Sequence, residues 1–306
     1  MIYTCTLNPA IDYKIKMDYL ELEELNRFDQ GDFLVGGKGI NVSIGLKKLG
    51  IGSVATGFLG GITGHYIKDF IDQKLNVESH FIMIDALTRV NVKILIHDKE
   101  TEINHNGVEV KDNEAQALLD YIDTLKPHDI LICGGSSAKG QSDLYKKIAK
   151  HCIDHQVEIV MDTPSKYMAE YLKYKPLLMK PNLLELETYV LKKLERLEDI
   201  VDAGRALVKA GAKHVIVSLG KDGSLLINKY HVFKAKPLRG EVKNTVGAGD
   251  SMVAGFIAAY EKNLSLVDCY KSAVAAASAT TFGNEIVDLK VYNDILNQVE
   301  IEEINI

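Results

Sequence analysis

Continuous apolar runs rich in β-branched residues alternate along most of the chain with segments whose apolar positions recur every three to four residues. "MIYTCTL" is the first such run, and "GSVATGF", "DILICGG", "VEIVMD", "PLLMKPN" and "HVIVSLG" follow it. Between them the spacing predicts helices after Gly39 ("INVSIGLKKLG"), near 64–74 ("GHYIKDFIDQK"), at about 112–125 and at about 142–154. Strands apolar on both faces and interleaved with helices predict a mostly parallel sheet covered on both sides, the α/β class.

Two segments break this rhythm. Residues 12–35 and 88–108 alternate polar and apolar positions and carry turn signals such as "HDKE", the pattern of strands with one wet face. They are expected either to pair into a small sheet over the core, as a lid or a dimer surface, or to stand as two surface hairpins. The tail "QVEIEEINI" predicts a short edge strand, and no internal repeat or low-complexity tract interrupts residues 1–306.

Composition adds exclusions. The 306 residues are 46% apolar and 25% charged with a net charge of −6, so no basic surface points to nucleic acid or an anionic membrane. A local cluster of cations for a phosphorylated substrate remains compatible with that total. Cys5, Cys133, Cys152 and Cys269 are scattered, without metal-ligand spacing, which fits small hydrophobes in a reducing cytoplasm. The beginning "MIYTCTLNPAIDYKIK" lacks the pattern of a signal peptide, and "SAVAAASATTFG" is too short to span a bilayer. A cytoplasmic protein is expected.

"NTVGAGDSMVAGF" carries the chemistry. Gly247, Ala248 and Gly249 form a turn nearly free of side chains, and Asp250 opens an apolar run at helical spacing. Backbone N–H groups at such a helix start are unpaired and lie at the positive pole of the helix, an anion hole suited to a moving phosphoryl group. Alone, the acid would be read as a helix cap. A second glycine turn, "GGKGINV", supplies Gly37, the mobile cation Lys38, and Asn41, which both donates and accepts. "TLNPAID" sets Asp12 just past the carboxyl end of the first strand, the edge where open α/β sheets bind ligands.

"NPAID", "GGKGINV", "KPNLLELE", "SLGKDGS" and "NTVGAGDSMVAGF" occur in the order and spacing of the PfkB (ribokinase-like) sugar kinases, which the chain resembles over essentially its whole length. The resemblance implies one ribokinase-like domain: a three-layer α/β/α core with a β-sheet lid. It also implies ATP with Mg2+ as the phosphoryl source and a sugar phosphate as acceptor. It gives Asp250 the role of base, with the backbone of Gly247, Ala248 and Gly249 holding the moving charge. At a helix N-terminus that carboxylate is expected to remain a weak base. Asn182 and Glu185 match an N-x-x-E element for Mg2+ and the ATP phosphates, with Glu185 acting partly through water. Lys180 is a candidate phosphate contact or an exposed strand-end lysine, and Ser218, Gly220 and Gly223 resemble the nucleotide loop. The segment from Ala275 to Asn284 is expected to wall the purine. Asp12 and Asn41 are expected to bind sugar hydroxyls, with Asn91 and Asn104 as weaker candidates. Arg89, Arg27 and Lys38 are the expected cations for the acceptor phosphate.

The "NPAID" start and "TRVNVK…TEIN" most resemble the family branch that phosphorylates fructose 1-phosphate, with tagatose-6-phosphate and fructose-6-phosphate kinases as the alternatives. A remote alternative is a catalytically silent sensor, which predicts loss of the base or the magnesium element. A dinucleotide-dependent dehydrogenase is excluded by the lack of G-x-G-x-x-G after the first strand. One element departs from the family. "GGSSAKG" (134–140) stands where many relatives carry a "GSLPPG"-like turn, which leaves the acceptor contact to Ser136 or, one residue on, Ser137. The lid's exposed half-sheet predicts a homodimer.

Overall fold

The computed structural model describes residues 1–97 and 99–305. Asp98 of the "HDKE" turn and the final Ile306 of the predicted tail strand lie outside the described residues. In chain order the strands are β1 (Ile2–Thr6), β2 (Ala10–Met17), β3 (Gln30–Gly36), β4 (Val54–Gly60), β5 (Glu78–Ile84), β6 (Arg89–Ile96), β7 (Lys99–Ile103), β8 (Ile130–Gly134), β9 (Glu158–Asp162), β10 (Leu178–Met179), β11 (His214–Ser218), β12 (Ser224–Asn228), β13 (Val232–Ala235) and β14 (Ile301–Glu303). Ten of them form one sheet in the order β14-β13-β12-β11-β10-β9-β8-β1-β4-β5. Neighbours run parallel from β5 through to β11, and the last three pairings are antiparallel.

The helices are α1 (Lys38–Lys48), α2 (Gly61–Asp69), α3 (Asp112–Ile122), α4 (Leu144–Asp154), α5 (Met168–Leu172), α6 (Leu183–Val190), α7 (Leu197–Ala210), α8 (Ala248–Glu261), α9 (Leu266–Phe282) and α10 (Leu289–Ile295). Alternate residues of each central strand feed two different cores, as the pleat requires. Ile130 and Ile132 of β8 pack with Val42, Leu46, Val253 and Phe256 on one face. Leu131 and Cys133 of the same strand pack with Leu118, Ile148 and Leu207 on the other. Helices α1, α8 and α9 thus cover one face and α3, α4 and α7 the other, giving three layers.

Some sequence expectations need correction. "PLLMKPN" yields only the two-residue β10. Ala275, Ala276 and Ala279, expected near a purine, are fully buried in α9. Their small side chains serve helix packing instead: α9 lies against α8 so closely that a Cβ on Gly255 would collide with the Ser272 carbonyl oxygen. Gly255→Ala should therefore lower the unfolding free energy by about 1–3 kcal/mol, the usual penalty for overpacking. Thermal unfolding reads this directly, and an unchanged midpoint would mean the two helices can part without strain.

The two alternating segments meet in a separate four-stranded sheet of order β3-β2-β6-β7. β2 pairs antiparallel with β3 and parallel with β6, joining residues 10–17 to 89–96. Residues 18–29, expected within a strand run, form no strand. Asp12, just past the carboxyl end of β1 as expected, is the third residue of β2. Chain direction explains this: the strand alternation resumes at Ala10, only four residues after β1 ends. Among the described residues no helix is long and apolar enough to cross a membrane.

From β1 the connections run outward to β4 and β5, whereas β8 joins β1 on its other edge. The crevice between the carboxyl ends of β1 and β8 is therefore the switch point at which open α/β sheets bind ligands.

Candidate active site

Three helix starts and two strand ends converge on that crevice. α8 begins at Gly247, a left-handed N-cap (φ 79°) with no side-chain cap. Glycine takes that conformation without strain. The first-turn N–H groups of α8 consequently lack the capping acceptor that Ser265 supplies to α9. Asp250 sits in this turn, 7% exposed, and its Oδ2 accepts a hydrogen bond from Asn41 Nδ2 at 2.7 Å. Asn41 belongs to the first turn of α1, so the two glycine motifs, some two hundred residues apart, meet side chain to side chain.

The expectation of a weak base is overturned. Burial and the nearby Asp162 carboxylate push the Asp250 pKa up to about 6, against the opposing pull of Lys38, the Asn41 hydrogen bond and Lys180. Desolvation and a like charge outweigh the positive pole of the helix here.

Asp162 itself was missed by sequence reading. It closes β9, is 4% exposed, and its Oδ1 lies 3.0 Å from Lys38 Nζ and 3.6 Å from Lys180 Nζ. Burial alone would raise its pKa, but Lys180 and Lys38 together hold it below the ordinary carboxylate range. Its Oδ2 is buried without a hydrogen-bond partner. The available signal was the acid ending a wholly apolar core strand ("VEIVMD") at the ligand-binding edge. Lys38 holds its proton more firmly than usual: burial works against the charge, but Asp162 and Asp250 outweigh it. Lys180 is not a strand-end surface lysine; it is 6% exposed, and a Cβ on Gly249 would stand 2.9 Å from its Nζ. Both amines therefore lie beside the uncapped turn.

Asn182 and Glu185 form a reciprocal capping box at the start of α6: Glu185 N donates to Asn182 Oδ1 and Asn182 N donates to Glu185 Oε2, both at 2.8 Å. Glu185 also contributes to holding the charge on Lys38, which places it toward the same cluster. Ser218 pairs with Asn182 through a parallel bridge, with Ser218 N donating to the Pro181 carbonyl at 3.0 Å. The turn Gly220–Asp222 and Gly223 then follow on this edge. Among the described residues no group of three His, Cys, Asp or Glu side chains is close enough to hold a metal ion unaided.

On the other side of the crevice, Ser136 accepts from Asn8 Nδ2 at 3.1 Å. The Ser137 hydroxyl is consumed within its own turn, donating to the Gln141 carbonyl. Of the two serines, Ser136 faces the end of β1. The Gly37 turn and Lys38 adjoin this wall, since a Cβ on Gly134 would meet Lys38 Cβ at 2.8 Å. On the smaller sheet, Asp12 Oδ1 accepts from Asn91 Nδ2 at 2.7 Å. Asn104 donates to Glu102 at 2.8 Å, away from Asp12. Arg89 donates to the carbonyls of Pro9, His105 and Asn8 at 2.9–3.3 Å, so three of its five N–H groups are already used. Arg27 is exposed on the 18–29 segment and joins no ion pair among the described residues. The structure thus gathers Lys38, Asn41, Lys180, Glu185 and Gly247–Asp250, with Asp12 and Ser136 on the flanking walls, and leaves Arg27 outside.

Known proteins resemble the chain over nearly its whole length. The family model described as pfkB family carbohydrate kinase matches residues 6–284. A Borreliella burgdorferi protein named 1-phosphofructokinase is 38% identical over 99% of both chains. A Bacillus licheniformis protein named D-tagatose-1-phosphate kinase is 32% identical over 98% of this chain and 99% of its own. Among solved structures, Escherichia coli phosphofructokinase-2, crystallised with substrates and products, superposes with a TM-score of 0.91 at 27% identity, covering 97% of this chain and 98% of that one.

Proposed function

The chain belongs to the pfkB family of carbohydrate kinases, and from that premise we propose that it transfers the γ-phosphoryl group of ATP to the 6-hydroxyl of fructose 1-phosphate, giving fructose 1,6-bisphosphate and ADP. The observation that carries the chemistry is a buried carboxylate, Asp250, with a pKa of about 6, set at an uncapped helix start beside two lysine amines.

Asp250 orients the acceptor hydroxyl and takes its proton, which leaves late in a loose transition state. The N–H groups of Gly249 and Asp250, with Lys38 and Lys180, stabilise the charge on the phosphoryl group in flight. Asn41 holds Asp250 in line and offers its carbonyl to the sugar. The oxygen chemistry fits Mg2+. Asp162 Oδ2 is buried and unpartnered, and Glu185 engages Asn182 through Oε2 alone. These two residues would hold the ion with waters and the ATP phosphates. Mg2+ held there would supply neutralisation of the ATP phosphate charge. Ser218, Gly220 and Gly223 line the nucleotide side. Asp12 and Ser136 bind the acceptor, and the two free N–H groups of Arg89, which shares a sheet face with Asp12, meet its phosphate. Arg27 reaches that phosphate only if the 18–29 segment closes over the crevice or comes from a second copy.

The smaller sheet acts as a lid and as the contact of a homodimer. Leu22 (84% exposed), Leu25 (77%) and Phe33 (53%) lie on it or its loop, apolar side chains that a second copy would cover. All four cysteines are free and buried, in keeping with a cytoplasmic enzyme.

The test is ADP release with MgATP and, in parallel, fructose 1-phosphate, tagatose 1-phosphate, tagatose 6-phosphate and fructose 6-phosphate. Fructose 1-phosphate is expected to give the highest kcat/KM. Tagatose 1-phosphate, its C4 epimer with the same hydroxyl at C6, is expected next, and a preference for either 6-phosphate would reverse the acceptor in the site. The pH profile tests the base. Asp250 must be ionised to act, so kcat/KM for the acceptor should fall about tenfold per unit as pH drops below about 6. A flat profile down to pH 5 would remove Asp250 from that role.

A further inference from the structure

The smaller sheet contains a buried amine that none of the roles above uses. Lys93 lies on β6 with its side chain only 11% exposed, 3.8 Å from Asp12 Oδ2 and 3.4 Å from Glu102 Oε1. The strand register puts Asn91 beside Asp12 and Glu102 beside Lys93, so all four residues share one face of the sheet. It also sets Lys14 directly opposite Lys93, a like-charge pair of the kind that destabilises a sheet, eased in part because Lys14 pairs with Glu100 at 3.7 Å. Burying a lysine amine is costly, and an apolar side chain at such a place is often the more stable choice. A lysine set against these costs, hydrogen-bonded to Glu102 at 3.4 Å and 3.8 Å from Asp12 Oδ2, points to a task other than stability.

The task is legible in how Asp12 is held. Its Oδ1 is fixed by Asn91 Nδ2 at 2.7 Å, and Asn91 is fixed in turn by the His105 N–H at 3.1 Å. Its Oδ2 accepts no hydrogen bond within the sheet; it faces Lys93 and stands 3.0 Å from where a Cβ on Gly36 would be. The carboxylate is therefore pinned on one oxygen and electrostatically steadied on the other, which keeps its lone pairs for a ligand. Glu102 competes with Asp12 for the amine from the far side, accepting from Lys93 Nζ at 3.4 Å, and is itself tied by Asn104 at 2.8 Å. The hydrogen bond from Asn104 and the charge of Lys93 keep Glu102 below the ordinary carboxylate range.

We propose that Lys93 is a positioning residue for acceptor binding: it keeps the Asp12 carboxylate turned so that Oδ2 meets a sugar hydroxyl, while Glu102 draws on the same amine from the far side. The inference rests on the reading of the chain as a ketose-phosphate kinase with Asp12 on the acceptor. It distinguishes Lys93 from a cation that binds ATP or drives transfer, because Lys93 acts only through Asp12.

A double-mutant cycle on the full-length protein tests it, with the wild type first assayed on the four ketose phosphates to fix the acceptor. Lys93→Met should raise the acceptor KM about tenfold while kcat and the KM for ATP stay within about twofold. Lys93→Arg should recover most of the loss. In an Asp12→Asn background the same Lys93→Met change should cost less than about twofold. An equal cost in both backgrounds, or a fall in kcat at unchanged acceptor KM, overturns the proposal. If Lys93→Met lowers the melting temperature too far for assay, Glu102→Gln decides: the amine stays and its competitor goes, so the acceptor KM should hold or fall. A tenfold rise there would make the network structural. A wild type that prefers another ketose phosphate corrects the acceptor and leaves the cycle valid on that sugar; turnover of none removes the parent reading and this one with it.

Discussion

Asp250→Asn should reduce kcat by about 10²–10⁴-fold, the range attached to losing a positioned general base, while the dissociation constants for ATP and the acceptor change little. The amide has the size of the carboxylate and still accepts from Asn41 through its oxygen, so the site keeps its shape. The stability effect should have the opposite sign. A carboxyl whose pKa is raised from 3.8 to about 6 on folding costs the native state stability once ionised. Its favourable share is complete below the unfolded value and is lost as pH climbs through about 6. The variant should therefore match the wild type near pH 4 and exceed it above pH 6, by up to roughly 2–3 kcal/mol. Single-turnover kinetics and thermal unfolding across pH measure the two halves. Near-normal turnover would take the base away from Asp250, and a loss of stability at pH 7 would show that its charge is welcome where it sits.

Asp162→Asn should be damaging in both respects. Its carboxylate is the shared counterion of Lys38 and Lys180, and a buried pair broken from one side costs about 3–5 kcal/mol because the remaining charge is stranded. The sign follows from its lowered pKa: Asp162 stabilises the fold above its unfolded value and ceases to do so as pH falls through its native one. Turnover should drop about 10²–10³-fold, since both amines lose the anchor that aims them at the phosphoryl group. The informative signature is a third one. Asp162 is one of the two main causes that raise the Asp250 pKa, so its neutralisation should move the acid limb of kcat/KM to lower pH. A limb that stays at 6 in the variant would place the titrating group elsewhere.

The layered architecture was open to sequence reading because burial on two faces leaves an unmistakable record: "DILICGG" has no polar residue in its strand and supplies both cores by simple alternation. The helix starts were legible for the same kind of reason, since a glycine turn before an apolar run has one structural use. What escaped depends on distance through space. The sheet register that brings Asp162 between Lys38 and Lys180 leaves no mark on the local sequence around any of them. The pKa of Asp250 was misjudged because the helix start is visible in "GAGD" but the desolvating walls and the second carboxylate are not. Arg89 shows the converse. The residue type suits phosphate, yet three backbone carbonyls that no pattern announces occupy most of its donors. Within the segment from Ala275 to Asn284, the full burial of Ala275, Ala276 and Ala279 was not legible because small residues look alike whether they admit a purine or another helix.

The placement of β1 has a bearing on how the molecule comes into being on the ribosome. This strand is interior in the finished sheet, but its partner on one edge, β8, begins only at residue 130, and the carboxylates that act on Lys38 arrive at 162, 185 and 250. At roughly 5–20 residues per second the nascent chain holds an unpaired apolar strand for many seconds before that edge can close, a delay of the kind that invites chaperones. Catalytic competence is later still. No N-terminal fragment ending before α8 contains both halves of the site, so a nascent chain shorter than that is inert by construction and cannot hydrolyse ATP to no purpose.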